Sequence, residues 1–322
     1  MTSSPEPYLS IVLTGRNDDF GGDFNGRFFR ALRFNHERLS EAGVSHEFIF
    51  VEWRPIAGKP YLATLLADEF YTLAPTQLTA YVVDPAYHDA FSLNPRLQFQ
   101  EFIAKNIAVR RANGRFILTT NTDIYLGRGV VAELSRQQLE PGVLYRAARH
   151  DLKSAADLSF IDWDMLEDER NCEVVNAIAP VYYTNASGDF LLLDRESYHR
   201  LRGFNEVYRV AKIHIDGNFC VKAYSSGLRL VDIGSPVYHV GRGTLHAQVG
   251  TYRDRPHEAP WGNIRWKSHV IYANPSNWGL QAAPARRLDA FTFYLDFDWT
   301  TVAPMVDLKR VVLPASRVGM PC

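Results

Sequence analysis

The sequence is poor in the features that most directly name a chemistry. It has three cysteines, Cys172, Cys220 and Cys322, in 322 residues. They are scattered, odd in number and in no CxxC or Cys/His spacing, so neither a disulfide framework nor a zinc site is expected. An excess of one charge is missing as well. With 35 Lys and Arg against 36 Asp and Glu, the formal net charge is -1, which gives no bulk attraction to nucleic acid or acidic membranes. Contact with a polyanion must therefore be local. No apolar run is long enough to span a bilayer. The leader MTSSPEPYLS has neither a basic region nor an apolar core and does not read as a signal peptide. A cytoplasmic, reduced protein is the expectation. The chain also lacks GxGxxG and P-loop patterns, so dinucleotide or ATP binding by those devices is unsupported. It shows no internal repeat and no low-complexity linker.

What is present begins with Arg115 to Gly127, RFILTTNTDIYLG. Phe116-Ile117-Leu118 reads as a short buried strand. It ends in small polar residues, then Asn121-Thr122-Asp123. If the strand continued, Asn121 and Asp123 would point together, since residues two apart share a face. Ligands of open α/β sheets bind at the carboxyl ends of the strands, so a carboxylate there is a candidate metal ligand for a phosphate-bearing substrate. A plain turn is the competing reading, because Asn and Asp favour turns for their own hydrogen-bonding reasons.

The rest of the first half alternates strand and helix. Tyr8 to Thr14 is a first strand, broken by the polar, glycine-bearing loop Gly15-Arg16-Asn17-Asp18-Asp19 and Gly21-Gly22-Asp23. Phe28, Leu32 and Leu39 make a helical stripe. Glu47 to Trp53 is a second strand with Glu52 at its end, Leu62 to Phe70 a helix, and Thr79 to Val83 a third strand. Asp84 to Asn94 reads as loop. Gln98 to Ala112 is helical, with Phe99, Ile103 and Ile107 on one stripe and Lys105, Asn106, Arg110 and Arg111 supplying polarity. Such alternation predicts an α/β fold with a mostly parallel sheet covered on both faces. It brings Arg16, Asp18 and Asp19, Glu52, and Asn121 with Asp123 to one sheet edge. The second half is less regular. Asp151 to Cys172 is acidic and reads as irregular. Ser187-Gly188-Asp189 precedes an apolar strand, and His214-Ile215-Asp216-Gly217 leads a helix from Asn218 to Ser226.

These blocks, in this order, resemble GT-A-fold glycosyltransferases of the family 2 type, and more closely a bacterial group among them. The matching segments are SIVLTGRNDDFGGDF, FIFVEWRP, FIAKNIAVRRANGRFILTTNTDIYL, TNASGDFLLLDRESYHRLRGFNE, HIDGNFCVKAYSSGLRLVDIG and VYHVGRG. They run from Ser10 to about Gly243. The resemblance implies a GT-A, Rossmann-like domain over residues 1–245. Its donor half is 1–126 and its acceptor half 127–245, and residues 246–322 form an extension packed on the same domain.

The resemblance also implies a nucleotide-sugar donor, UDP- or GDP-linked, a glycan or glycoconjugate acceptor, and a divalent metal, Mn2+ or Mg2+. Asn121-Thr122-Asp123 stands at the DxD-type position, with an amide replacing the first acid. Asp123 and His239 would hold the metal. Arg242 stands where a second histidine is common, and His246 is close by. Asp216 matches the general base of inverting members and Asp189 an acceptor-binding position. Arg16, Asp18, Glu52, Lys105 and Asn121 would bind the donor. Two other readings compete. A nucleotidyltransferase would want a basic glycine-rich loop after the first strand, where this chain has Asp18, Asp19 and Asp23. A catalytically silent nucleotide-sugar-binding scaffold is compatible with Asn121 and Arg242.

Overall fold

The computed structural model describes residues 6–73, 77–153, 160–207, 209, 214–239, 270–271, 273–306 and 313–314. In chain order the strands are β1 (Leu9–Gly15), β2 (His46–Trp53), β3 (Leu78–Val83), β4 (Phe116–Thr119), β5 (Ile124–Leu126), β6 (Val143–Arg146) and β7 (Arg149–Leu152). They continue with β8 (Cys172–Asn176), β9 (Leu191–Asp194), β10 (Arg229–Asp232), β11 (Val237–His239), β12 (Val270–Ile271), β13 (Ala285–Arg287), β14 (Thr292–Leu295) and β15 (Leu313–Pro314). The helices are α1 (Phe24–Glu41), α2 (Leu62–Glu69), α3 (Pro85–Phe91), α4 (Glu101–Arg111), α5 (Arg128–Ser135), α6 (Trp163–Glu167), α7 (Arg195–Leu201), α8 (Ile215–Ser225) and α9 (Trp299–Val306).

A nine-stranded sheet runs β10-β6-β9-β4-β1-β2-β3-β14-β13. Strands β4, β1, β2, β3 and β14 are mutually parallel, and β9 lies antiparallel between β4 and β6. Alternation along each strand sends side chains into two cores. Ile11, Leu13, Phe48, Phe50, Phe116 and Leu118 pack against α1 and α2. Val12, Ile49, Val51, Trp53 and Ile117 pack against α3, α4, α7 and α8. The central strands are therefore covered on both faces, which is why they read as near-continuous apolar runs. The segment after residue 272 enters this frame too. Trp278 and Leu280 are buried in the second core, and Arg111 donates to the Gly279 and Leu280 carbonyls at 2.8 and 2.7 Å.

A second, four-stranded sheet runs β5-β11-β7-β8. Its strands are short, and two of them flank the stretch Asp151 to Cys172 that was expected to be irregular, within which residues 163–167 form α6. Residues 149–152 and 172–176 are in fact antiparallel neighbours. Their side chains alternate too weakly in polarity to register as strands, because the outer strand β8 is exposed along its middle. The reading of Asp84 to Asn94 as loop is also corrected. Asp84 caps α3, its carboxylate accepting from the Ala86 N–H at 2.9 Å, and Pro85 occupies the first turn. Asp-Pro is a helix start as readily as a turn, since proline at the first helical position costs no hydrogen bond. On α4, Lys105 and Asn106 do not supply an outer polar face; both are fully buried.

Two buried histidines make the fold sensitive to acid. His88 Nδ1 accepts from the Trp53 indole at 2.9 Å; burial, then the charge of Arg54, lowers its pKa to about 4. His46 is likewise lowered to about 4 by burial. Below pH 6.5 the unfolded chain takes up these protons and the folded chain does not. Their contribution is thus whole above pH 6.5 and is lost as pH falls towards 4. Glu52 and Glu206, raised to about 7 chiefly by burial, act oppositely: their contribution is present below pH 4.5 and fades as pH rises through 7. The histidine part is isolated by difference. Wild type should lose on the order of 2 kcal/mol more than His88→Gln between pH 7 and pH 4.5, at about 1.4 kcal/mol per pH unit. Urea midpoints at both pH values check this, and parallel slopes would exclude His88 as a source.

Candidate active site

The sheet delivers its chemistry to one edge. Gly15 of β1 is in register with Glu52 of β2, and β4 runs parallel to them, ending at Thr119 opposite Val12 and continuing as residues 120–123 towards the same edge. Because β9 is antiparallel to β4, with Leu191 opposite Thr119, the residues just before β9 arrive at the same edge. Those residues are Ser187, Gly188 and Asp189. The chain then leaves the main sheet through residues 120–123 and enters the second sheet at Ile124. Asn121 and Asp123 therefore lie in a connection and do not share a strand face. Asn121 turns towards α4 and the 187–189 turn, Asp123 towards α1 and β11.

The second sheet sets the partners of Asp123. Ile124 is in register with His239, and His239 with Asp151. His239 Nδ1 lies 2.8 Å from Asp151 Oδ1, and Nε2 lies 3.4 Å from Asp123 Oδ2. Burial opposes a proton on this imidazole, but the Asp123 charge and the bonds to Asp123 and Asp151 outweigh it, raising its pKa to about 9. Asp151 Oδ2 accepts from Arg149 at 3.0 Å and from Asn176 at 2.6 Å. The same Arg149 donates to Asp189 Oδ2 at 2.6 Å. Asp189 Oδ1 accepts from the Asn121 amide at 2.6 Å. Asn121 Oδ1 accepts from Lys105 Nζ at 2.9 Å, and Nζ also donates to the Gly188 carbonyl at 3.0 Å and pairs with Glu101 at 2.8 Å. Finally, the Gly188 N–H donates to Asp216 Oδ2 at 2.7 Å. Lys105, Asn121, Asp123, Asp189, Asp216 and His239 thus belong to one connected polar network.

Asp216 has a distinctive setting. Its Oδ2 accepts both from Gly188 N and from Ser187 Oγ, each at 2.7 Å. No partner is found for Oδ1 among the described residues, and the side chain is only half-buried. The helix that carries it begins at Ile215 with His214 at the N-cap, three residues before the expected start at Asn218. Asp216 therefore sits inside the first turn, where negative charge is favoured, and is not the cap. His214 (φ 66°) and Ala186 (φ 47°) are both left-handed, a conformation that costs non-glycine residues on the order of 1 kcal/mol and clusters at functional sites.

Several residues that build this site were not singled out from the sequence. Arg27 of α1 donates from Nη1 to Asp123 Oδ2 at 2.7 Å. Asn35, on the same helix, donates to Ile124 O at 2.8 Å and accepts from Leu126 N at 2.9 Å, continuing the β5 ladder with a side chain. Both lie on the buried face of α1 with Phe24, Phe28, Ala31 and Leu32; polar residues at stripe positions were the available signal. Gly127 lets β5 approach β11, since a Cβ there would stand 2.3 Å from Pro236 O. Arg146, fully buried, donates to the carbonyls of Tyr183, Asn185 and Phe190 and so shapes the 187–189 turn. Burial lowers its pKa.

Arg16, Asp18 and Glu52 lie at the same edge but outside the network. Arg16 pairs with Asp18 at 2.7 Å and donates to the Gln98 carbonyl at 3.1 Å. Glu52 Oε2 accepts from Ala63 N at the start of α2, at 3.0 Å. Its Oε1 is buried without a hydrogen-bond partner among the described residues. Arg242 and His246 lie outside the described residues.

The donor set fits a divalent cation on one side only. Asp123 Oδ2 and His239 Nε2, 3.4 Å apart, are spaced as two ligands of one ion at about 2.1 Å would be. Asp151 behind Nδ1 orients the ring as outer carboxylates do for metal-bound histidines. No group of three or more His, Cys, Asp or Glu is gathered for a metal among the described residues. The remaining ligands would come from substrate phosphate and water, as Mg2+ commonly has them.

No family model matches the chain, and no curated protein matches it. Among solved structures it is similar to a mannosyltransferase from Pyrobaculum calidifontis in complex with GDP-Man and Mn2+, at 16% identity over 73% of this chain and 57% of that one, TM-score 0.42. The catalytic domain of Drosophila β1,4-galactosyltransferase 7, in complex with xylobiose, is similar at 12% identity over 94% of this chain and 99% of that one, TM-score 0.44. Mannosyl-3-phosphoglycerate synthase from Rubrobacter xylanophilus matches at 14% identity over 87% and 82%, TM-score 0.42. At these identities and TM-scores the likeness carries no argument about this chain.

Removing one charge from the network should cost more than removing a neutral pair. Arg149→Met leaves the buried Asp151 and Asp189 facing each other, and is expected to destabilise by about 3 kcal/mol. Adding Asp189→Asn should recover at least a third of that loss. Equal stability of the single and double variants in guanidinium unfolding would show that Arg149 does not bridge them.

Proposed function

We propose that this protein is a glycosyltransferase. It moves a sugar from a nucleotide-sugar donor, UDP- or GDP-linked, to a hydroxyl of a glycan or glycoconjugate, with inversion at the anomeric carbon. The observation that carries this reading is the setting of Asp216: one carboxylate oxygen held by Ser187 and Gly188, the other free to take a proton, on a network that reaches Asp123. In the reaction the acceptor oxygen forms a bond to the anomeric carbon as that carbon's bond to the diphosphate oxygen breaks. The bonding electrons leave with the nucleotide, and the acceptor proton passes to Asp216 Oδ1. A carboxylate fixed at one oxygen needs little reorganisation to do this.

Asp123 and His239 are the residues that would hold a divalent metal, Mn2+ or Mg2+, which when bound neutralises charge on the departing diphosphate. His239 would give up its proton on binding it. Asn121 faces the donor, and Lys105 acts on the donor through Asn121 and the Gly188 carbonyl. Asp189 lies on the acceptor side. Arg16 and Asp18 line the nucleoside end, where the unpartnered oxygen of Glu52 suits a ribose or base hydrogen bond. Residues 1–245 form the catalytic unit and 246–322 its extension in this proposal. Its setting would be bacterial polysaccharide biosynthesis in the cytoplasm. No helix among the described residues is long and apolar enough to cross a membrane.

The test combines binding with turnover. A panel of UDP-, GDP-, dTDP- and CMP-sugars with Mn2+ should raise the melting temperature for one nucleotide class. Asp216→Asn should keep that shift while donor turnover falls by about 10²- to 10⁴-fold. Undiminished turnover in the variant would remove Asp216 as base. A shift in wild type with no turnover on any acceptor or water would favour a silent donor-binding protein, and no shift with any nucleotide would sink both readings.

A further inference from the structure

Arg27 is a charged residue in an apolar stripe, its side chain 6% exposed beside an equally buried Asp123. Its guanidinium joins two parts of the site. Nη1 donates to Asp123 Oδ2 at 2.7 Å, Nη2 to the Phe20 carbonyl at 2.6 Å, and Nε to the Gly22 carbonyl at 3.0 Å. One planar group therefore holds the loop between β1 and α1 down on the acid that ends the β4–β5 connection. That loop needs holding. Asp19, Gly21, Gly22 and Asp23 all have positive φ, at 56°, 78°, 73° and 45°, and two of these are aspartates, which adopt such angles only at a cost. The Asp23 side chain makes no capping bond to α1; Asp19 accepts from Phe24 N instead, at 3.1 Å.

The oxygen that Arg27 engages is the one that faces His239 Nε2. A divalent cation between Asp123 and His239 would use that same oxygen, and a guanidinium 2.7 Å from it would repel the ion with little water between them. We infer that Arg27 and a divalent cation are alternative counter-charges at Asp123, so that ion binding loosens the guanidinium from Asp123 and with it the loop at residues 18–23. Arg27 is thereby a positioning residue: it couples occupancy of the metal site to the shape of the loop that carries Arg16 and Asp18. This inference rests on the assignment of Asp123 and His239 as metal-binding residues in the proposed transferase.

The test reads ion binding and loop protection, not turnover. Mn2+ affinity is measured by electron paramagnetic resonance on the full-length protein without donor, for wild type, Arg27→Met and Arg27→Lys. Arg27→Met, which removes the competing charge at similar length, should bind Mn2+ about tenfold more tightly, a factor equivalent to about 1.4 kcal/mol. Arg27→Lys keeps the charge but cannot donate to Asp123 and both carbonyls at once; its Mn2+ affinity should stay within about threefold of wild type. Amide exchange across residues 18–23 should quicken in wild type when Mn2+ is added. In both variants it should be fast already and indifferent to the ion. If Arg27 were merely structural, Arg27→Met would bind Mn2+ equally or more weakly, and wild-type exchange would not respond to the ion. Either result overturns the inference, as does absence of Mn2+ binding in all three proteins. The nucleotide-sugar panel still judges the transferase reading separately, since a donor shift without Mn2+ binding would spare the transferase and remove only the ion and its coupling to Arg27.

Discussion

Carboxylates buried at the edge of a sheet have to be neutralised, and the way this is done here organises the rest of the structure. Asp123, Asp151 and Asp189 are each no more than 4% exposed. An isolated charge so placed would cost several kcal/mol. Each instead faces a cation delivered by a different element: Arg27 from α1, Arg149 from β7, His239 from β11, with Lys105 from α4 tying in through Asn121. The alternation of acid and base leaves no one charge dispensable. It also welds the two sheets, since Arg149 of the small sheet bonds Asp189 at the edge of the large one.

The backbone reasons for this convergence are local. The central strands are parallel, so their polar exits collect at one edge, and the antiparallel strand β9 brings its entry to that edge in place of its exit. Residues 120–123 then step from one sheet to the other, which parts Asn121 from Asp123 and gives each its own set of partners. Helix α1 spans the step. Its Asn35 side chain completes the β5 ladder while its Arg27, two turns earlier, reaches the start of the same strand.

This explains what could be read in advance. The α/β alternation and the edge that carries Arg16, Glu52 and Asp123 were legible because apolar runs and turn residues are linear signals. The small sheet was not. Its strands are three to five residues long and their pairing is non-local. Charged partners were missed for a related reason. Arg27, Arg146 and Arg149 are ordinary arginines in the sequence; only the fold shows that they bond carboxylates and carbonyls. Lys105 shows the same limit. Its position on α4 suggested a polar face, whereas the helix is buried on nearly all sides.

The two acids nearest the 187–189 turn show how environment separates roles among identical groups. Asp189 has both oxygens bonded, one to Asn121 and one to Arg149. Taking a proton would break a charge-assisted bond to Arg149 or sacrifice the amide that fixes Asn121. Asp216 is half-buried, with one oxygen fixed by two donors and the other without a partner among the described residues. Protonation at Oδ1 leaves both of its existing bonds in place, since both are made to Oδ2. In the proposed reaction the base must accept a proton and then lose it at every turnover without disturbing the turn that aligns the substrates. Of the two carboxylates, only Asp216 meets that condition, while a buried arginine, Arg146, holds the carbonyls of Tyr183, Asn185 and Phe190 on either side of the turn.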